Sequence, residues 1–523
     1  MARRLHINRF KTDYIIVGSG LTGMLAAEEL LRADKSVLML DIGETANNHA
    51  RNLQQIASEI PPHNVSTEVI KQLNQQTAKA GFPRRKQWFG DPLLERWQKY
   101  WSYEFSNCSK IGPSTLLGGY SKIWGASCMP PDLLGSLTSL LPSDNDQTMI
   151  ADVYNYLGIM TSSTLINKSG NTPIGCLSNV EMFVDNFKNK RIGEQYKNWF
   201  LTSSLIATNK QAKACTLCGN CLIGCPNEYI YNAEFNLTSL NKYPNFHYVD
   251  QRRCISFVES ATEVSINCTD TLSNRTEETI TYRANRVILA AGPLSTTEIL
   301  STSLDLKTNI KLITSQLFSF AALAKNPFNI VRKANRNNIG VSEAFLYENN
   351  TIRPNIFLQL YSSNRVLRYY GAQNRWISMI IENNTGTILD KLLIACQGYL
   401  DSNNSQILNF YNLGNGKPIE LSSTSAQPKP DFSDIKALFN QTGYKLGPIK
   451  IHDAAEGYHF GGSFPIKTNG DKYSSDILGR PKDLSRIHII DASVLPFIPA
   501  GPFTTLVLWN ALRIVRKLTK LEN

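Results

Sequence analysis

Three sets of residues in this chain have the types and spacing to do chemistry. The first is the turn Gly18-Ser-Gly20-Leu-Thr-Gly23. It follows the apolar run Asp13–Val17 and opens an alanine-rich helical segment from Leu21 to about Ala33. A second apolar run, Ser36 to Leu40, then closes on Asp41. Glycines so placed let backbone approach a pyrophosphate, whose charge sits at the helix N-terminus, and an acid about twenty residues on accepts hydrogen bonds from ribose hydroxyls. A Gly-x-Gly-x-x-Gly alone is a weak signal. The strand before it, the helix after it and the acid beyond make it a dinucleotide site over Gly18, Gly20, Gly23 and Asp41.

The second set is Cys215-Thr-Leu-Cys218-Gly-Asn-Cys221-Leu-Ile-Gly-Cys225-Pro226. Thiolates separated by two residues can wrap one cuboidal iron–sulfur cluster, and this spacing is that of a bacterial ferredoxin loop. Because the chain has one such run, either Cys225 closes a [4Fe–4S] unit or three of the cysteines hold a [3Fe–4S]. Cys108, Cys128 or Cys176 could contribute from afar. Zinc in a Cys₄ site, or cysteines without a metal, are the bland alternatives. A cluster would pass electrons singly to a protein or quinone acceptor.

The third is His459, in the glycine-bounded turn His459-Phe-Gly-Gly462. Imidazole titrates near neutrality and is suited to taking a hydroxyl proton. A lone histidine is usually structural, but this one precedes the strand and helix that return the chain to the first glycine turn. His452 and His488 read instead as packing or surface residues. A second glycine turn, Leu116-Leu-Gly118-Gly119-Tyr-Ser121-Lys-Ile-Trp124-Gly125, also permits close approach of backbone to a ligand.

The elements that must position these groups are legible in outline. The segment 45–110 reads as mostly helical and polar, and the aromatic patch from Trp88 to Phe105 reads as core packing. Phe246–Val249, Arg252–Val258 and Glu263–Asn267 read as short strands, and Arg286 to Ala290 as a buried strand ending at Gly292. From 308 to 445 the texture changes to alternating runs: Ile310–Ser315, Ala344–Tyr347, Asn355–Leu360, Ile377–Ile381, Leu392–Cys396, Ile407–Tyr411 and Ile419–Ser422. With polar turns such as Glu348-Asn-Asn and Glu382-Asn-Asn between them, these predict a mainly antiparallel sheet. Ile487 to Ile490 is a strand closed by Asp491, and Thr504 to Lys520 a helix with an apolar face.

The order of these motifs resembles the glucose–methanol–choline oxidoreductases. The resemblance rests on Gly18 to Gly23 with Asp41, Gly118-Gly119-Tyr-Ser121, Val287-Ile-Leu-Ala-Ala-Gly292-Pro-Leu-Ser-Thr, His459-Phe-Gly-Gly462 and Asp491-Ala-Ser-Val-Leu-Pro496. It spans nearly the whole chain, in the family's order. It implies an α/β fold in two lobes: a Rossmann-like FAD-binding domain (12–130, 226–307 and 446–523) and a mainly antiparallel β-sheet substrate domain (308–445), with 131–225 inserted and carrying the cysteines. It further implies that Gly18, Gly20, Gly23 and Asp41 hold the adenosine diphosphate half of FAD. Gly118, Gly119, Ser121, Gly292, Asp491 and Thr504 would lie along the rest of the cofactor, and His459 would be the base facing its reactive ring. Relatives that bind the flavin covalently use a histidine where this chain has Ile123, so the FAD would be non-covalent. Among relatives, the branch of sugar and alcohol dehydrogenases bearing iron–sulfur is the one this chain resembles.

One departure bears on function. Such enzymes place an Asn or second His on the loop after the Asp491 strand, to share the substrate hydroxyl. Here that loop reads Ile498-Pro-Ala-Gly501-Pro502-Phe503-Thr504-Thr505, and proline offers no side-chain donor or acceptor.

At 523 residues the chain exceeds what one core normally supports, and 42% hydrophobic with 19% charged residues fits a globular protein. The net charge of +11 is spread over Arg3-Arg4, Arg84-Arg85-Lys86, Lys188 to Arg191 and Arg513 to Lys520. No stripe interleaves these with aromatics, which argues against nucleic-acid binding. No apolar stretch approaches the ~20 residues of a membrane span. The basic N-terminal segment lacks the apolar run of a secretion signal, so a cytoplasmic location is expected. The sequence therefore predicts an FAD-dependent dehydrogenase acting on a small-molecule alcohol, such as a sugar or polyol, with electrons leaving through the cysteine cluster. The rivals are an oxygen-using alcohol or sterol oxidase, and a non-catalytic flavin-holding subunit that relays electrons.

Overall fold

The strand Thr12–Val17 forms where Tyr14-Ile-Ile-Val supplies β-branched and aromatic residues, all four of them buried. In the computed structural model it lies at the middle of a seven-stranded sheet. The structure describes residues 12–61, 64–65, 68–69, 71–72, 87–141, 148–162, 179–189, 198–212, 215–272, 279–326, 339–348, 353–363, 392–414, 416–424, 430–468 and 470–521. The strands Phe246–Val249, Val37–Leu40, Thr12–Val17, Thr279–Leu289 and Ile487–Ile489 run parallel to their neighbours. Val264–Asp270 and Arg252–Glu259 extend the sheet as an antiparallel meander. The register brings Val17 level with Leu40 and Leu289, and Leu289 level with Ile489. Gly18, Asp41, Gly292 and Asp491 therefore leave the sheet at one carboxyl edge, where open α/β sheets bind their ligands.

A second sheet is antiparallel, in the order Tyr444–Leu446, Leu317–Ala324, Leu393–Leu400, Ile356–Ser362, Ala344–Glu348 and Trp199–Ser203, with Lys450–Ile451 beside Leu317–Ala324. Its faces divide cleanly. Phe318, Phe320, Leu358, Leu360, Ile394 and Cys396 bury against the helices Asn179–Asn189 and Ser433–Gln441. The alternate residues look toward the first sheet, as the two-residue period of a strand requires.

The alternating runs of 308–445 do not share one sheet. Ile310–Thr314, Ile407–Tyr411 and Ile419–Ser423 join Tyr103–Ser106 and Phe460–Gly461 in a separate five-stranded sheet. Its buried Ile310, Leu312, Leu408 and Phe410 pack with Val287 and Leu289 of the parallel sheet. Ser315 and Gln316 are all that separates a strand of this sheet from one of the other. The run Ile377–Ile381 and the turn Glu382-Asn-Asn lie outside the described residues. Among the described residues of 45–110 are the α-helix Asn48–Glu59, further helical residues between 64 and 72, a 3₁₀ turn at Leu93–Lys99 and the strand Tyr103–Ser106.

The chain closes on Thr504–Leu521, which packs along the helix Leu21–Arg32 and is tied to it by Arg516–Glu29 at 2.8 Å. Among the described residues no helix is long and apolar enough to cross a membrane. The whole is a mixed α/β fold, a Rossmann-like domain joined to a mainly antiparallel sheet, as the sequence predicts.

Candidate active site

The carboxyl edge opens into a cavity of about 700 Å³. Gly18, Gly20, Asp41, Gly119, Ser121 and Gly292 line it, as do Asp491, Thr504 and His459. Nine of the eleven FAD-site and base residues expected from the sequence thus share one space, although their positions span most of the chain. The other two, Gly23 and Gly118, stand behind the wall. A Cβ on Gly23 would lie 2.0 Å from the carbonyl oxygen of Gly18, so this glycine lets the helix pack on the turn rather than touching a ligand. Gly118 adopts φ +82° and donates its N–H to Ser19 Oγ at 3.0 Å. Ser121 accepts from the Ala233 N–H at 2.9 Å and donates to the Gly118 carbonyl. These bonds stitch the two glycine turns together.

Asp41 accepts from the Ser19 hydroxyl and from backbone N–H groups of Ile42, Ser19 and Gly43. Burial nevertheless pushes its carboxyl up to about 7, so the anion gains from further hydroxyl donors. Asp491 is more fully committed. Its Oδ2 accepts from the Gly292 N–H at 3.0 Å and Thr296 Oγ1 at 2.5 Å, and its Oδ1 from the Ser493 N–H at 2.9 Å. It pins the Gly292 turn to the last strand, a positioning role beyond the cofactor contact expected of it. Thr504 opens an 18-residue helix whose N-terminal end faces the cavity, which favours negative charge there. Ile123 also lines the wall, and its alkyl side chain can form no bond to a flavin.

His459 is held by its backbone carbonyl, which accepts from the Ser315 N–H at 2.8 Å. Its ring stacks on Tyr399, 4.3 Å between centroids and 19° between planes, and meets the edge of Phe503 at 5.0 Å. Nδ1 is buried without a hydrogen-bond partner, and burial pushes the imidazole down to about 3. Burial therefore favours the neutral ring. Phe503 and Pro502 of the Ile498–Thr505 loop line the same wall, as does the loop's polar Thr504.

His488 is also buried, its Nδ1 3.0 Å from the Leu478 carbonyl, and is pushed down to about 4. Both histidines bind protons less readily folded than unfolded, where imidazole titrates near 6.5. The unfolded chain thus takes up more protons below 6.5, and stability falls as pH drops from there toward 3. Titrating the apoprotein by circular dichroism should show acid unfolding that is shallower in His488→Gln than in the parent. Equal slopes would overturn the assignment.

His452 corrects the expectation of a packing or surface residue, because it lines the cavity. Its Nε2 is 2.7 Å from Ser319 Oγ and its Nδ1 2.9 Å from Glu456 Oε1. Gln359, Tyr361 and Gln397 on the same wall also escaped the sequence reading. The available signal was a lone polar residue in each of the apolar strands Ile356–Ser362 and Leu393–Leu400.

The four cysteines of the ferredoxin-like run converge on a second, small pocket. Among the described residues, however, no group of three or more His, Cys, Asp or Glu is arranged to hold a metal ion. Burial, with repulsion from neighbouring cysteines, pushes Cys215 up to about 11 and Cys218 to about 12. The iron–sulfur cluster or zinc expected from the sequence thus finds no support in the arrangement of these residues. Of the distant candidates, Cys128 is buried in the main core and Cys108 lies beside the Leu421 carbonyl; Cys176 is outside the described residues.

The sequence matches no protein-family model and no curated protein. The structure is similar to the crystal structure of pyridoxine 4-oxidase from Mesorbium loti, with a TM-score of 0.57 over 97% of this chain and 99% of that one. The two are 14% identical, so the likeness is one of fold.

Proposed function

We propose that this chain is an FAD-dependent oxidoreductase that oxidises an alcohol, with His459 as the base. The observation that carries the proposal is a buried imidazole whose Nδ1 has no hydrogen-bond partner, on the wall of the cavity that the glycine turns line. Bound FAD would supply the electron-poor ring that takes the hydride from the carbinol carbon. Gly18, Gly20 and Gly119 let backbone meet the pyrophosphate, Asp41 accepts from the ribose hydroxyls, and the helix beginning at Thr504 faces the flavin end. Tyr399 and Phe503 fix the His459 ring. Its imidazole takes the hydroxyl proton. The fold neighbour, named as an oxidase of pyridoxine, supports this class of reaction. We assign 12–130, 226–307 and 446–523 to cofactor binding, and 308–445 mainly to covering the substrate.

A second reading sends the electrons out through a cluster at Cys215, Cys218, Cys221 and Cys225. Their convergence on one pocket supports it, as does Leu222 of the same loop, which reaches the main cavity wall. The arrangement of the described side chains does not.

The protein is expected to purify yellow, to release FAD on heating, and to bleach when an alcohol is added without oxygen. A colourless protein that stays so after reconstitution would refute the proposal. Bound flavin that no alcohol reduces would favour the non-catalytic flavin-holding reading. Iron with acid-labile sulfide would establish the cluster, whereas peroxide formation without iron would mark an oxygen-using oxidase.

A further inference from the structure

The wall opposite the glycine turns carries a row of neutral polar groups made by strand register. Ser319, Gln397 and Gln359 sit directly across from one another on three adjacent strands. All three fall on the face turned away from the Phe318–Leu358 core, and the two glutamines line the cavity. Tyr361 Oη lies 2.6 Å from Gln359 Oε1 and 3.2 Å from Gln397 Oε1. The tyrosine hydroxyl thus engages the carbonyl ends of both carboxamides. Their Nε2 groups have no partner among the described residues, although Gln359 is only 5% exposed. Gln397 is half-buried and both carboxamides line the cavity, so their free N–H groups mark a place for a ligand's acceptors.

The position of the row fits the chemistry. Tyr399, which stacks on His459, is two residues from Gln397 on the same face of one strand, a step of about 7 Å. That is the reach of one small molecule whose reacting carbinol lies at His459 while other hydroxyls lie along the row. The charge pattern narrows the ligand further. Arg252 and Arg253 line the cavity near Asp41, where the Arg252 N–H donates to the Asp41 carbonyl at 2.8 Å. Both are paired, with Asp270 at 3.2 Å and Glu298 at 2.7 Å. Near the row the charged candidates are His452 and Glu456, paired with each other at 2.9 Å, and no lysine lines the cavity among the described residues. An unpaired charge on the ligand would find no counter-ion there.

We propose that Gln359 and Gln397, oriented by Tyr361, form a clamp for the non-reacting hydroxyls of a neutral polyhydroxylated alcohol of about sugar size. This rests on the alcohol-oxidising reading, and it supplies from the opposite wall the hydrogen bonding that Pro502 cannot. The carboxamides are the ligand-touching groups. Tyr361 is a positioning residue, and Ser319 with His452 and Glu456 continues the row toward the edge of the sheet.

The test is equilibrium binding to the flavin-loaded protein, by calorimetry, with glucose, galactose, mannitol, sorbitol, cyclohexanol and glucuronate as probes. At least one neutral polyol should bind, and Gln359→Leu/Gln397→Leu should weaken it by about tenfold to a hundredfold for two lost hydrogen bonds. Cyclohexanol binding should be unchanged. Tyr361→Phe, which keeps the packing, should weaken polyol binding by about three- to tenfold with flavin content and Tm as in the parent, and it decides the matter if the double variant does not fold. No polyol bound by the parent, tighter binding of glucuronate than of every neutral probe, or equal polyol affinity in the variants would each overturn the clamp. Polyol that binds but never bleaches the flavin would count against the alcohol-oxidising reading and leave the clamp standing.

Discussion

His459→Ala should keep its flavin and lose flavin reduction by alcohol, by about 10²- to 10⁴-fold, the usual contribution of a positioned general base. The ring touches Tyr399 and Phe503 but supports no side-chain hydrogen bond. Its removal therefore opens a small void without orphaning a partner. The pH dependence should follow from the same burial. Because the imidazole is pushed down to about 3, it remains unprotonated across the neutral range, and the acid limb of reduction should fall well below 6.5. His459→Gln should abolish that limb along with the rate. The measurement is anaerobic stopped-flow reduction at saturating alcohol. Reduction within tenfold of the parent, or an acid limb at or above 6.5 that persists in the variant, would remove His459 from the chemistry.

How far the sequence discloses this arrangement depends on how local each feature is. The turn Gly18–Gly23, the strand before it and Asp41 lie within a single strand–helix–strand unit, so spacing alone is enough to place them. His459 was legible only through its glycine neighbours and its order along the chain. The Ser319–Gln397–Gln359 row was not legible as a row. Each member is one polar residue in an apolar strand, and only the register of three strands lines them up. Leu317–Ala324 itself evades reading because its alanines carry no strand preference, yet it supplies Ser319 to His452 across 133 positions. The cysteine run shows the converse. Its spacing is that of a cluster loop, but spacing along the chain does not fix how the four sulfurs are arranged in space, and among the described residues they form no metal-holding group. The split of 308–445 into two sheets escaped for a similar reason, since alternation reports a half-buried strand and not its partner.

Gly18→Ala and Gly20→Ala should fail in opposite ways, and the contrast separates the fold from the ligand. Gly18 adopts φ +102°, and an added Cβ would sit 2.5 Å from the Ala290 carbonyl oxygen and 2.9 Å from the Ala291 Cα. Those atoms are backbone, fixed where the Ala290 N–H donates to the Val17 carbonyl at 2.9 Å and the Gly18 N–H donates to the Leu40 carbonyl at 2.9 Å. The two strands cannot part without losing the register that levels the carboxyl edge. Left-handed backbone strain costs about 1–3 kcal/mol and the overlap about 1–3 more, a large share of a typical stability of about 5–15 kcal/mol. Gly18→Ala is therefore expected to lower Tm by several degrees or to misfold, even as apoprotein. Gly20 has an ordinary negative φ and nothing within 4 Å of its added Cβ, so Gly20→Ala should fold with an unchanged apoprotein Tm. Its methyl would enter the cavity between the two glycine turns, where Gly119 stands opposite. FAD affinity should then fall by about tenfold or more, because displacing a phosphate from its backbone donors costs charge-assisted hydrogen bonds. If Gly20→Ala holds FAD as tightly as the parent, the pyrophosphate does not lie between the turns, and the cofactor assignment of the whole carboxyl edge fails with it.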